Sequence, residues 1–514
     1  MPCGDQRAPA PPRVLPGPVE DLREDLVRAR FTVDGVAEVL GPLAVRALHR
    51  EQALPARLAL HEDRSPTAVL TRLFSLGQRV PADEVEHALP ATGVDGLISL
   101  GLAAADGEGG ARLRACCDLR PYADEDHRWW VASDLSEVAT GEPLPPDHVL
   151  GIGGASATLA SWTPRPRARR ALDLGTGCAV QALHLGTHCD EVVATDVSER
   201  ALLFAHFNRA LNRLPLEVRA SDMFDALEGE RFDLLVSNPP FVITPRTAGA
   251  SRYEYRDAGL VGDAAISGLV RSVGDHLEPG GIAQFLGNWE IPLGADGQPA
   301  DWREVVRGWF EGTGLDAWVV QREVQDPAEY AETWARDAGQ LPGSAAHDRM
   351  YAAWLADFAS RGVASIGFGV LTVQRPATDR APWLDLVEVT APVAGPMGPT
   401  VLAGVRARTW LAEHDDDAVL DTAWRCAGDV TEERHGLPGA GDPAVILLRQ
   451  GGGLRRLVRA DTVLAAFVGV CDGELTARQA LDAIATLVDA DPDALTGQAL
   501  PRVRELVADG LLVS

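Results

Sequence analysis

The sequence predicts a three-part α/β chain, a doubly wound core carrying a small α+β module of winged-helix type on either side. Three observations predict it. An apolar strand ending at Asp173 runs into a glycine turn and then a helix. Further apolar runs end in acids at the spacing that βαβ units require. Both flanks carry successive short helical segments that close on a turn and an apolar run. With 514 residues the chain has material for about three domains. It reads as a disordered tail over 1–19, a module over 20–148, the core over 149–376 and a second module over 377–514.

The core opens with Asp173, Leu174, Gly175, Thr176 and Gly177, followed by a helix from about 178 to 185. In doubly wound folds ligands sit at the carboxyl ends of the strands. Glycine lets the backbone turn tightly there and approach a ligand. A dinucleotide loop would ask for a small residue five after Gly175, but Val180 stands there, which weakens a dehydrogenase reading. The next apolar run, 191–195, ends in Asp196 and Val197, where a carboxylate would grip a ribose diol or cap the following helix. A third run, Leu216–Ala220, ends in Ser221, Asp222 and Met223, and Asp222 is placed to meet an adenine amine.

A fourth apolar run, Phe232–Ser237, leads into Asn238-Pro239-Pro240-Phe241. Consecutive prolines fix φ and remove two donors, so the carbonyls beside them point in set directions. Asn238 adds a side-chain carbonyl and Phe241 a flat apolar face. A planar amide or aryl amine can give its two N–H bonds to Asn238 and the Pro239 carbonyl while stacking on Phe241. Such a nitrogen is a weak nucleophile, and acceptors aimed at its developing charge stabilise the transition state more than the ground state. A plain Pro-Pro loop is the bland alternative.

Residues 171–289 resemble the catalytic core of class I S-adenosylmethionine-dependent methyltransferases. The Asn-Pro-Pro-aromatic motif is similar to that of the N-methyltransferase branch holding the HemK/PrmC protein-glutamine enzymes and small-domain rRNA guanine enzymes. The continuation Val242-Ile243-Thr244-Pro245, then 255–263 and Leu277-Glu278-Pro279-Gly280-Gly281, looks HemK-like. The resemblance implies a Rossmann-like, seven-stranded core and S-adenosylmethionine as cofactor. It places Asp173, Leu174, Gly175, Thr176 and Gly177 at the methionine part, Asp196 and Val197 at the ribose, and Asp222 and Met223 at the adenine. It gives Asn238, Pro239, Pro240 and Phe241 the target nitrogen, with Asn238 also beside the cofactor. Ala179 departs from the pattern, since many relatives carry a third glycine there. Cys178 reads as a space filler, because methyl transfer needs no covalent step.

All basic residues are arginine, which excludes Schiff-base and catalytic-lysine chemistry. Net charge is −27 and each third of the chain is acidic, which favours a protein amide as substrate over a nucleic acid. An exocyclic base amine, a small molecule, and a non-enzymatic scaffold presenting two modules remain as alternatives. The arginines at 165, 167, 169 and 170, and at 455, 456 and 459, read as solvated surface. Seven cysteines without a CxxC pair fit a reducing cytoplasm. His184, His188 and Cys189 form an incomplete ligand set, so no metal is expected. The N-terminus lacks a signal-peptide pattern and no apolar run is long enough to span a bilayer.

In the first module, helices are expected to begin at Ser65-Pro66 and to run over 81–89 and 94–100, with a wing at 102–105 and 112–119. The resemblance makes the segment 151–156 before the core a candidate cover for the cofactor, while its glycine content alone reads as a linker. Later strands are expected at 282–286, 317–322 and 366–374, with a helix near Trp302–Phe310. A helical insert at 327–361, bearing Tyr330, Trp334, Tyr351 and Trp354, is either core or a lid. The last module is expected to hold helices at 462–468, 476–488 and 500–508 before Gly510-Leu511-Leu512-Val513.

Overall fold

The computed structural model describes residues 9–140, 144–246, 256, 257, 259–337, 340, 342–439 and 443–514. Its centre is one sheet of eight strands: β1 (Ala168–Leu174), β2 (Cys189–Asp196), β3 (Leu216–Ala220), β4 (Phe232–Ser237), β5 (Leu277–Pro292), β6 (Asp316–Gln325), β7 (Val363–Gln374) and β8 (Leu384–Glu388). They lie in the order β8-β6-β7-β5-β4-β1-β2-β3. β1 to β5 pair in parallel, and β7 runs antiparallel between β5 and β6. This is the Rossmann-like arrangement expected, with one correction. An eighth strand pairs in parallel with β6 beyond the expected seven, so the core does not end at 376. Register with β6, and not a local pattern, recruits that strand.

Helices cover both faces, as the near-continuous apolar strands require. Val270 of α4 (Ala264–Val273) and Val306 of α5 (Trp302–Phe310) pack with Leu172 and Phe285 on one face. Leu159 of α1 (Gly154–Trp162), Ala182 of α2 (Val180–Leu185) and Ala205 of α3 (Glu199–Leu211) pack with Ala171 and Val236 on the other. The insert is a pair of helices, α6 (Pro327–Asp337) and α7 (Ala345–Arg361). A further helix, α8 (Gly398–Glu413), lays Val401 and Val405 on the sheet and stacks the Arg408 guanidinium 3.9 Å from the centre of the Trp318 ring. The same helix also packs Leu411 and Trp410 into the core of the last module, so it lies between the sheet and that module.

The expected tail is also shorter. A helix, Pro16–Arg28, begins inside it and buries Val19, Leu22 and Leu26, and the Arg13 N–H donates to Leu100 O at 2.8 Å. The first module then shows helices Pro66–Leu70, Ala82–Ala88 and Gly93–Ser99 and a small antiparallel sheet of Val80–Pro81, Arg112–Ala115 and Ala103–Asp106. The expected strand at 112–119 breaks in two. Its second part, Asp118–Ala123, forms a separate hairpin with Arg128–Ser133. That hairpin docks on α3: Asn208 Oδ1 accepts the Ala132 N–H at 2.8 Å and Asn212 Oδ1 accepts the Trp130 N–H at 2.9 Å. Arg200 pairs with the buried Asp134 beside them.

In the last module, helices Thr462–Val470, Ala477–Leu487 and Pro492–Ala508 share a core with the antiparallel strands Val430–His435, Val445–Gln450 and Leu457–Ala460. Thr476 and Gln479 form a capping box at the second of these helices. The closing strand Leu512–Val513, after the last helix, pairs back to Arg425–Cys426, ahead of the helices. Among the described residues no helix is long and apolar enough to cross a membrane.

Candidate functional site

Sheet register places the predicted loops side by side. Leu174 pairs with Thr195 and with Ser237, and Asp196 pairs with Ala220. The carboxyl ends of β1, β2, β3 and β4 are therefore level, and the turns after them open on one rim. β5 is longer than the expected 282–286. Phe285 is level with Ser237, and residues 286–292 continue past the rim, held by β7. This extension forms a wall beside the Asn238 loop, and the insert packs against it and its neighbour: Tyr330 Oη lies 2.8 Å from the Asn288 amide of β5 and its ring meets Phe368 of β7 at 5.5 Å between centroids.

The glycine loop is held by its neighbours. Gly175 and Thr176 both donate their N–H groups to Thr195 O, at 2.9 and 2.8 Å. The Gly177 N–H donates to Asp196 Oδ2 at 2.8 Å, while Asp196 Oδ1 accepts from Ser198 N at 2.9 Å. Ser237 closes the loop from the other side, its hydroxyl donating to Leu174 O at 2.7 Å. Gly175 and Gly177 have φ of 73° and 55°, and a Cβ on either would meet no protein atom within 4 Å. Both glycines thus face open space at the rim, as a cradle for a ligand requires.

Asp173 turns inward. It is 1% exposed, and its Oδ2 accepts from the Thr176 hydroxyl at 2.6 Å and from the Ala182 N–H at 2.9 Å, fixing the loop and the start of α2. Burial pushes its carboxyl up to about 7, against those two bonds. Leu174 and Thr176 are likewise buried under the loop. Burial also raises Asp196. Ala179 keeps the left-handed turn expected of a glycine, at φ 68° and ψ 27°. Cys178 is buried, its thiol pushed up to about 12 by burial, so it is no nucleophile.

Two apolar side chains stand bare farther along the rim, Val197 at 69% and Met223 at 38% exposure. Asp222 is exposed next to them. An apolar pair with an acid between suits a flat heteroaromatic ring with an amine at its edge. The segment 150–156 lies over the start of α2, where Cys178 Sγ contacts Leu150 O at 3.2 Å and Gln181 Nε2 donates to Ser156 O at 2.9 Å.

In the second loop Pro239 is buried, and Asn238, Pro240 and Phe241 are half-buried. The Asn238 Oδ1 is enclosed and has no hydrogen-bond partner among the described residues. The Phe241 ring stands edge-on to Trp334 of the insert, 6.4 Å between centroids. The Ile243 N–H donates to Tyr330 Oη at 2.9 Å. Arg256, whose carbonyl accepts from Val242 N at 2.8 Å, donates to Trp334 O at 3.1 Å and pairs with Asp337. Tyr255 and Ala258 of the same stretch lie outside the described residues. Thr195, Ser237 and Asn288 carry no sign of a role in the sequence, because each acts through a partner distant in the chain.

His188 Nδ1 lies 3.4 Å from Cys189 Sγ, but His184 does not join them. His184 Nε2 meets Tyr122 Oη at 2.8 Å and its ring packs against Trp129, while His188 Nδ1 meets Pro166 O at 3.0 Å. Among the described residues no three His, Cys, Asp or Glu side chains gather as a ligand set.

Fold, strand order and the glycine loop define a Rossmann-like α/β core with its candidate site at the carboxyl ends of the parallel strands. Residues 151–252 match the model of the methyltransferase small domain. Residues 28–115 and 403–514 match two domains of unknown function. The release factor glutamine methyltransferase of Xylella fastidiosa is 31% identical over 186 residues, 34% of this chain and 61% of that one. The ribosomal RNA small subunit methyltransferase C of Pasteurella multocida is 35% identical over 136 residues, 26% of this chain and 37% of that one. The chain thus spans between about a third and three fifths of these curated relatives. Among solved structures, the T. thermophilus 16S rRNA N2 G1207 methyltransferase with AdoMet and guanosine is 20% identical, covers 47% of this chain and 62% of its own, and has a TM-score of 0.25.

Proposed function

We propose that the protein is an S-adenosylmethionine-dependent N-methyltransferase acting on a planar nitrogen, with a glutamine-type protein amide as the substrate class. The observation that carries this reading is the enclosed, unpartnered Asn238 Oδ1 on the rim shared with the glycine loop. Enclosed carbonyl oxygens without partners are uncommon, and this one stands where a donor N–H would satisfy it.

The residues present fit the cofactor. Gly175 and Gly177 leave room at the loop, Asp196 anchors it and has lone pairs left for a diol, and Val197, Asp222 and Met223 suit an adenine. Bound there, S-adenosylmethionine would supply an electrophilic methyl group. The protein's own part is to bind and orient. Asn238 Oδ1 and the Pro239 carbonyl take the N–H bonds of the target, which draws the nitrogen lone pair toward the methyl donor and stabilises positive charge as it forms. Phe241 supports the planar group, and Trp334 and Tyr330 close the side away from the glycine loop. The proton leaves after transfer, so a dedicated base is not required.

The acidic balance of every part of the chain supports a protein substrate over nucleic acid. Similarity to relatives named for glutamine and for ribosomal RNA methylation supports both branches. Incubation with tritiated S-adenosylmethionine and separated protein and RNA fractions distinguishes them. Label in a protein band, lost with Asn238→Ala, is the expected result. Label confined to RNA transfers the reading to a base amine, and full activity of Asn238→Ala removes the mechanism.

A further inference from the structure

Three enclosed polar atoms of the second loop, its continuation and the β5 extension have no hydrogen-bond partner among the described residues, Asn238 Oδ1, Thr244 Oγ1 and Asn288 Oδ1, beside a fourth on the insert, Trp334 Nε1. They come from separate pieces of the fold, the Asn238 loop with its continuation and the β5 extension. The first insert helix joins the pieces. Its Trp334 faces Phe241, and Tyr330, one turn earlier on α6, meets both Ile243 and Asn288. Folded proteins pair most such groups, so orphans that meet at one loop beside the glycine turn leave donors and acceptors there for a polar ligand.

Asn288 is fully buried and its amide lies 2.8 Å from Tyr330 Oη. The phenol has two lone pairs and one proton. One lone pair receives the Ile243 N–H. If the Asn288 NH2 also points at the phenol, the phenol proton has no acceptor on this side and Oδ1 is orphaned. With the amide turned over, the phenol donates to Oδ1, every atom of Tyr330 is satisfied, and the Asn288 NH2 becomes the free group. Burial holds Tyr330 protonated, since its phenol is pushed up.

We propose that Asn288 is a second substrate-binding side chain of the transfer site, and that Tyr330 of the insert is the positioning residue that turns its NH2 toward substrate. The insert is therefore part of the substrate site. Resting on the function proposed above, this deepens it. Asn238 offers an acceptor and Asn288 a donor, which together complement the N–H and the C=O of a primary carboxamide. A guanine-type edge, with donors on both the exocyclic amine and the ring nitrogen, would ask for two acceptors.

The test uses the full-length protein, N-acetylglutamine methylamide and guanosine as probes, and saturation-transfer NMR titration with and without S-adenosylhomocysteine. Wild type is expected to bind the glutamine probe in preference to guanosine. Asn288→Asp, which replaces the donor by an acceptor, should weaken the glutamine probe by about tenfold or more. Tyr330→Phe should cut the preference for glutamine over guanosine by several-fold, a change of selectivity that loss of packing alone would not give. S-adenosylhomocysteine binding, measured by calorimetry, should stay at the wild-type level in both variants and serves as the folding check. Equal binding of the glutamine probe by wild type and Asn288→Asp overturns the proposal. So does binding of guanosine alone, or of neither probe, by wild type. Failure of wild type to bind S-adenosylhomocysteine while the probes behave as expected overturns the cofactor reading and leaves the Asn288 assignment standing. Should Asn288→Asp prove unstable, Tyr330→Phe carries the same decision through its selectivity.

Discussion

The amide of Gly177 donates to the carboxylate of Asp196 at 2.8 Å, so the turn after β1 and the acid at the end of β2 are tied by a hydrogen bond. A ligand seated in the turn and one held by the acid would therefore not be independent. Asp196→Ala is expected to release the turn as well as remove the carboxylate. Hydrogen bonds to charged groups are worth about 1.5–3 kcal/mol, which corresponds to roughly a tenfold to hundredfold loss of affinity. Calorimetric titration with S-adenosylhomocysteine measures it, and an unchanged affinity would show that the carboxylate takes no part in binding.

Ala179 holds a left-handed conformation, φ 68° and ψ 27°, at the residue before α2. For an L-residue this costs about 1–2 kcal/mol. Glycine removes that cost but has more freedom to lose on folding. Ala179→Gly is expected to stabilise the protein by about 0.5–1 kcal/mol. Urea unfolding should show a higher midpoint with an unchanged slope, and a lower midpoint would contradict the strain.

Burial lifts Asp173 to about 7 in the folded protein. Its unfolded value is the ordinary one of about 3.9, so the folded state binds the proton more tightly. The resulting stabilisation is complete below the unfolded value and is lost as pH rises through 7. Between those two values stability falls by about 1.4 kcal/mol for each step of one in pH. Asp173→Asn keeps an acceptor for Thr176 and Ala182 but cannot titrate. Thermal unfolding of wild type minus variant should fall from pH 4 to pH 7, and a flat difference would assign the ionised form to the folded state.

His184 behaves in the opposite sense. Burial, with Arg165 beside it, lowers its imidazole to about 4. The folded state favours the neutral ring, so this stabilisation is present above about 6.5 and is lost as pH falls toward 4. The ring packs on Tyr122 and Trp129 of the docking hairpin, which places the effect at the joint between the first module and the core. His184→Gln should flatten the acid limb of the unfolding profile, and tryptophan emission from this joint should shift in wild type over the same range. An acid limb unaltered by the substitution would place the titration elsewhere.

Much of the fold was legible because its signals are local. Strand, turn and helix alternate over 171–220 with their acids and glycines in place, and the insert at 327–361 matches α6 and α7. The Asn238 loop was legible as a constrained turn because its prolines fix the backbone whatever surrounds them, whereas the enclosure of Asn238 Oδ1 depends on the fold. The expected tail runs too long because Pro and Gly near its end mask the helix Pro16–Arg28, whose apolar face is fixed by burial against the first module and not by a strong local pattern.

By itself the sequence determined the parts of this protein: an α/β core, a glycine loop and an Asn-Pro-Pro-Phe loop at strand ends, and an acidic balance of charge. Tertiary structure decided how they combine. The length of β5 and the presence of β8 depend on pairing with β7 and β6, segments far along the chain, and no local propensity carries that register. The inward turn of Asp173, the left-handed Ala179 and the union of Tyr330 with Asn288 and Ile243 follow from what each side chain meets when the chain closes on itself. Burial then sets whether a carboxyl ionises and whether an amide is left wanting a partner, and burial exists only in the folded molecule.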